Sequence, residues 1–166
     1  MKTAVVLFNL GGPDQESSIR PYLRNFFMDK AIIPAPRPIR DLISFLIAKR
    51  RSKKEAGDSY ARLGGKSPLL DNTQAQADAL QETLGPDYKV FICMRYWHPL
   101  AKDVVQQVKE FGALRVILLP LYPQFSTTTT GSSYEDWHRA AKKAGFNVPT
   151  TMPCCYPVNE YFIKAS

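Results

Sequence analysis

The stretch V-I-L-L-P-L-Y-P-Q-F-S-T-T-T-T-G-S-S, Val116 to Ser133, decides the fold. Val116 to Leu121 is an unbroken apolar run without polar alternation. That is the pattern of a strand buried on both faces of a parallel sheet. The run empties into a turn crowded with hydroxyls, on Tyr122, Ser126, Thr127, Thr128, Thr129, Thr130, Ser132 and Ser133. In open α/β sheets, ligands occupy the crevice beyond the carboxyl ends of the strands. A row of hydroxyl donors there, followed by a helix, suits an oxygen-rich anion.

Outward from this stretch, further strands are expected over Thr3 to Leu10, Lys89 to Met94 and Val148 to Met152. Helices are expected from Ser17 and Ser18 to about Asp29, over Pro38 to Arg51, Asn72 to Leu84, Pro99 to Phe111 and Ser133 to Gly145, and from Pro157 onward. Caps and stops mark their ends, notably Gly85-Pro86 and Gly112. Lys49-Arg50-Arg51 suits the negative end of a helix dipole. Ser52 to Ser59 reads as a polar linker and Leu63 to Pro68 as a tight turn. The βα alternation implies a Rossmann-like, doubly wound, mainly parallel sheet with helices on both faces and right-handed crossovers. One domain over residues 1–166 is the expectation for this length. The final helix carries no stop signal, so a fragment of a longer protein is expected.

The chain is 45% apolar and 22% charged, as in ordinary globular proteins, and its net charge of +7 invites an acidic partner. Nucleic acid is set aside because no basic stripe interleaves with aromatics in a known motif. Three cysteines, Cys93, Cys154 and Cys155, are a poor disulfide framework. The apolar run at the N-terminus is too short for a signal peptide, and no segment reaches the length of a membrane span. These features imply a cytoplasmic protein. For residues 31–47 two readings stand: an apolar lip and basic helix that dock on an anionic membrane, or an ordinary amphipathic helix facing the core.

Three strands empty into unusual turns: N-L-G-G-P (9–13), M-R-Y-W-H-P-L (94–100) and the hydroxyl turn (121–133). Leu10, Arg95, Tyr96, Trp97, His98, Tyr122 and Phe125 would wall a cleft for a flat, apolar, anionic ligand. Neither nucleotide-loop fingerprint is present. His98 and His138 lack metal-site spacing, so a self-contained zinc site is not expected.

Read together, N-L-G-G-P, F-L-I-A-K-R-R (45–51), Y-A-R-L-G-G-K-S-P (60–68), R-Y-W-H-P-L (95–100) and the hydroxyl turn resemble the N-terminal half of the ferrochelatase family. The resemblance implies two Rossmann-like domains around a porphyrin cleft, and insertion of Fe²⁺ into protoporphyrin IX to form protoheme, the last step of heme synthesis. It implies protoporphyrin IX and Fe²⁺ as partners and no required cofactor. Leu10 would lie against the macrocycle, and Tyr122 would line the pocket. Arg51, Tyr60, Ser67 and Ser126 would hold the propionates or line the pocket mouth. Arg95 and Tyr96 would stand near the metal. The family's catalytic histidine and glutamate belong to its C-terminal half. The chain alone is therefore expected not to insert iron. Some members carry a [2Fe–2S] cluster. Thr127 breaks the animal ligand pattern, whereas Cys154 and Cys155 lie near a bacterial one, so the cluster stays open. The alternatives are a half-length homodimeric chelatase and a non-catalytic porphyrin or heme carrier.

Overall fold

The computed structural model describes residues 1–62 and 64–165, with residues 53–59, 61 and 62 described by backbone alone. Four strands, β1 (Thr3–Asn9), β2 (Tyr88–Met94), β3 (Arg115–Pro120) and β4 (Thr150–Thr151), form one sheet in the order β2-β1-β3-β4, every pairing parallel. Six α-helices accompany it: α1 (Ile19–Phe27), α2 (Arg37–Arg62), α3 (Leu69–Thr83), α4 (Ala101–Phe111), α5 (Ser132–Lys143) and α6 (Glu160–Ala165). The described residues fall into two compact units.

The first unit comprises residues 1–9, 73–95 and 99–166 and holds the sheet. Alternation along β1 sends Ala4, Val6 and Phe8 to one face, where they pack with Val104, Val105 and Val108 of α4 and Trp137 of α5. Val5 and Leu7 point to the other face and meet Ala77 and Leu80 of α3. Helices therefore cover both faces, as the apolar runs require. Each fully buried aliphatic side chain contributes on the order of 1.5–3 kcal/mol relative to exposure. The chain runs from β1 to β2 on one side, then returns to β3 on the other. The carboxyl ends of β1 and β3 thus flank the topological switch point, with Phe8 in register with Pro120. Asn9 pairs with Met94, so the three long strands end at one sheet edge.

The α4 helix stops at Gly112, whose φ of 74° turns the chain so that the Ala113 N–H reaches the Val108 carbonyl at 3.4 Å. Before α5 comes one π-type turn, Thr127–Gly131. Ser126 precedes it in extended backbone, and its hydroxyl accepts from the Thr128 N–H. The last expected strand shrinks to Thr150–Thr151. The expected helix from Pro157 begins at Glu160, where the Asn159 side chain accepts from the N–H groups of Tyr161 and Phe162.

The second unit, residues 10–72 and 96–98, is built on α1 and α2. The polar linker expected over Ser52 to Ser59 is instead continuous helical backbone, and Lys49-Arg50-Arg51 lies mid-helix. Lys, Glu and Ala at 53–56 are good helix formers, and Gly57 lowers helix propensity by only about 1 kcal/mol. Ser44 and Ala48 are buried, whereas Ile39, Leu42 and Leu46 lie exposed along one stripe. The reading of this helix as an amphipathic element facing the core therefore holds for only part of its apolar side. Gly64 and Gly65 both take positive φ, and the Gly65 N–H donates to the Tyr60 carbonyl. The turn expected over 63–68 is thus seen from Gly64 onward; Leu63 and Ser166 lie outside the described residues.

Candidate functional site

In the sheet-bearing unit, the site residues gather after the strand ends. The Arg95 N–H donates to the Asn9 carbonyl at 2.9 Å, continuing the β1–β2 ladder by one residue. Its Nε donates to Ser132 Oγ at 2.7 Å, and its Nη1 stands 3.7 Å from Asp136 Oδ2. Asp136 in turn accepts from Arg139 at 3.1 Å. Tyr122, next to the switch point, places its hydroxyl 3.2 Å from Ser133 Oγ. Burial pushes the Tyr122 phenol up to about 12. Cys93, two residues before Arg95 on β2, is buried in the core. Burial, with the Asp136 carboxylate second, holds its thiol well above the ordinary value, while Arg95 opposes them.

The hydroxyl turn is less open than its sequence implies. The Ser126 and Thr128 hydroxyls are 2.8 Å apart, Ser132 is engaged with Arg95, and Ser133 with Tyr122. Thr130 is fully buried, and its hydroxyl has no partner among the described residues. Much of the stretch therefore orders itself and its neighbours rather than forming an open row of donors. A sequence shows the hydroxyls but not which of them face one another.

In the helical unit, the Tyr96 N–H donates to the carbonyl of Leu10 at 2.9 Å, and Leu10 is half-buried. The Tyr96 side chain is fully buried, edge-on to Phe26 at 4.9 Å. Its hydroxyl donates to Asp29 Oδ2 at 2.9 Å, while Oδ1 of the same carboxylate accepts from the Ala31 N–H at 2.8 Å. A buried phenol needs such a partner. In this arrangement its hydroxyl faces Asp29, itself buried.

Arg51 is exposed, with its guanidinium over the Phe27 ring at 5.7 Å. With Ile47 and Arg50 these residues line a cavity of about 260 Å³. Two arginines above aromatic and aliphatic walls suit a carboxylate borne on an apolar body. Tyr60 is half-buried, and burial raises its phenol. Burial, and secondarily Tyr60, pushes Tyr22 up to about 12. The Ser67 N–H donates to the Pro13 carbonyl at 2.8 Å, and its hydroxyl accepts from the Leu69 N–H at the start of α3. Asp14 is held below the usual carboxylate range, chiefly by the Ser18 hydroxyl.

The structure thus joins Arg95 to Ser132 and Asp136, and Tyr122 to Ser133, in one unit. In the other it joins Leu10 to Tyr96 and sets Arg51 beside Arg50. Asp29 and Asp136 escaped the sequence reading, because nothing local marks a carboxylate that acts on a partner 67 or 41 positions away. His138 Nδ1 lies 3.0 Å from the Tyr134 carbonyl, and its ring stacks on Tyr134. Among the described residues, no group of three or more His, Cys, Asp or Glu could hold a metal ion. Cys154 and Cys155 are exposed and supply at most two of the four thiolates usual for a [2Fe–2S] centre. No described helix is long and apolar enough to cross a membrane.

The profile of the ferrochelatase family matches residues 2–166. A ferrochelatase of Wolbachia sp. subsp. Drosophila simulans is 50% identical over 99% of this chain and 53% of its own length. A ferrochelatase of Rickettsia bellii is 49% identical over 99% of this chain and 46% of its own. One from Phenylobacterium zucineum is 52% identical over 95% of this chain and 46% of its own. The chain spans about half the length of the curated relatives it matches. With the parallel sheet and its ordered motifs, this similarity shows that the chain belongs to the ferrochelatase family.

Proposed function

We propose that this chain forms one domain's share of a porphyrin-binding site, in an enzyme that inserts Fe²⁺ into protoporphyrin IX. The observation that carries the reading is Arg51 beside Arg50 over Phe27 and Ile47, cations on an apolar wall. Protoporphyrin is flat and apolar with two propionates, so it needs both kinds of surface. In this reading Arg51, Tyr60, Ser67 and Ser126 receive the carboxylates. Leu10 and Tyr122 meet the macrocycle. Arg95 and Tyr96 serve the metal side, Arg95 by its charge and Tyr96 by supporting the Leu10 turn through its backbone.

Insertion replaces two pyrrole N–H protons with one Fe²⁺, so a base near working pH must take each proton. By the resemblance neither His98 nor His138 matches the family's base; His138 Nδ1 lies 3.0 Å from the Tyr134 carbonyl and His98 is edge-on to Trp97. The base and its glutamate partner are assigned to the half of the family pattern beyond this chain. Accordingly the 166-residue chain should bind protoporphyrin without turnover.

The test is fluorescence titration with protoporphyrin IX, beside an anaerobic assay with Fe²⁺. Arg51→Ala should weaken binding by about 1.5–3 kcal/mol. An unchanged dissociation constant removes Arg51 from the site, and protoheme formation by this chain alone would establish the half-length chelatase instead. The exposed Ile39, Leu42 and Leu46, with Arg37, Lys49 and Arg50 on the same helix, favour a peripheral contact with an anionic bilayer. Sedimentation with phosphatidylglycerol vesicles but not phosphatidylcholine vesicles should show it. Equal recovery with both would remove the charge argument.

A further inference from the structure

We propose that Asp136, supported by Ser132, is a positioning residue that fixes the direction of the Arg95 guanidinium; its functional part rests on Arg95 serving the porphyrin site. Arg95 leaves the end of β2 with four rotatable side-chain bonds, and holding such a chain in one direction costs rotamer entropy. Contacts from α5 oppose that freedom. Ser132 takes the Nε–H at 2.7 Å, and Asp136 places its carboxylate 3.7 Å from Nη1. They stand four residues apart on α5, one turn along the same helix face.

Asp136 is itself held. Its second oxygen accepts from Arg139, three residues on, at 3.1 Å. The Arg95 side chain is 16% exposed and that of Asp136 is 23% exposed, so solvent screens the pair less than it would at an open surface. Cys93, buried two residues before Arg95 on β2, feels Asp136 and Arg95 in opposite senses. A hydroxyl alone steers Nε; a carboxylate beside Nη1 also sets the rotation of the fork, because the guanidinium is planar.

The sign of one substitution separates positioning from plain charge. If Asp136 only offset the Arg95 charge, Asp136→Asn would strengthen binding of an anionic porphyrin. If it positions Arg95, Asp136→Asn should weaken it. The experiment uses the 166-residue chain, with protoporphyrin IX as probe and ¹⁵N NMR of the Arg95 Nε–H, identified by its loss in Arg95→Lys. Asp136→Asn and Ser132→Ala should each displace that signal, with far-UV circular dichroism confirming that each variant is folded. The porphyrin dissociation constant should rise about five- to tenfold in Asp136→Asn. The Arg95→Lys/Asp136→Asn pair should bind no worse than Arg95→Lys alone.

Tighter binding by Asp136→Asn, or an unmoved Nε–H signal in both variants, would overturn the positioning role. A displaced signal with porphyrin binding indifferent to Arg95→Lys would leave the contact standing and sink the reading of Arg95 as a site residue. Should Asp136→Asn fail to fold, Ser132→Ala and Asp136→Glu decide the matter: the first should displace the signal, and the second, which keeps the carboxylate, should leave it near its wild-type position; an unmoved signal in Ser132→Ala would overturn the proposal.

Discussion

Gly12 lies so close to Ser67 that a methyl group on Gly12 would stand 2.4 Å from both the Cβ and the Oγ of Ser67. Two glycine turns, 11–13 and 64–67, are packed together here, and the Ser67 N–H donates to Pro13 across them. Gly12→Ala should therefore force Ser67 away and destabilise the chain by about 1–3 kcal/mol. Urea unfolding would measure this, and Ser67→Gly in the same chain should recover part of the loss. A neutral Gly12→Ala would mean that the 64–67 turn yields freely, and Ser67 could then not be a fixed carboxylate donor.

The Asp29 carboxylate accepts from the Tyr96 hydroxyl and from the Ala31 N–H. Tyr96→Phe removes one of these bonds and should cost about 1–3 kcal/mol, because the carboxylate is buried. Asp29→Ala removes both acceptors and should cost more. Denaturant midpoints for the two variants test the order, and the reverse order would show that the carboxylate does not anchor the 30–36 segment.

Stability should fall in alkali. Tyr22 and Tyr122 are both pushed up to about 12 in the folded chain, by burial first. Below pH 10 both states keep these protons, so nothing is lost there. Between about pH 10 and 12 the unfolded chain sheds them while the folded chain holds them, so stability declines as pH rises. Unfolding midpoints across this window should fall, and Tyr122→Phe should flatten the decline. Absorbance at 295 nm that titrates completely near pH 10 in the folded chain would contradict the burial argument.

Thiol reactivity should divide two against one. Cys154 and Cys155 are exposed, whereas Cys93 is 4% exposed and its thiolate is disfavoured by burial. A disulfide reagent at neutral pH should modify the adjacent pair promptly and Cys93 only on unfolding. Cys155 raises the Cys154 thiol by hydrogen bonding and charge, so Cys154 should form its thiolate less readily than an isolated exposed cysteine. Prompt reaction of all three would show that the β2 core opens readily.

The parallel sheet was legible because its strands are apolar on both faces, and Gly112 and Gly85-Pro86 punctuate the helices between them. The helix through Ser52 to Ser59 was not. Its polar residues resemble a linker, and no apolar periodicity announces a helix there. The motif turns were legible as positions along the chain, and Ser126 does stand at the turn where hydroxyls were expected. Which hydroxyl spends itself on which neighbour was hidden, as with Ser126 on Thr128 and Ser132 on Arg95.

By itself the amino-acid sequence determined the α/β class, the strands whose ends meet one edge, and membership of a family through five ordered motifs. Those properties follow from local periodicity and from residue types in order, which a chain carries before it folds. Only the tertiary structure decided that Tyr96 is buried on Asp29, that Arg95 stands beside Asp136, and that Gly12 leaves no room beside Ser67. Each is a contact between residues at least 41 positions apart. Sequence spacing does not encode such distances, because packing brings those atoms together only when the whole core closes.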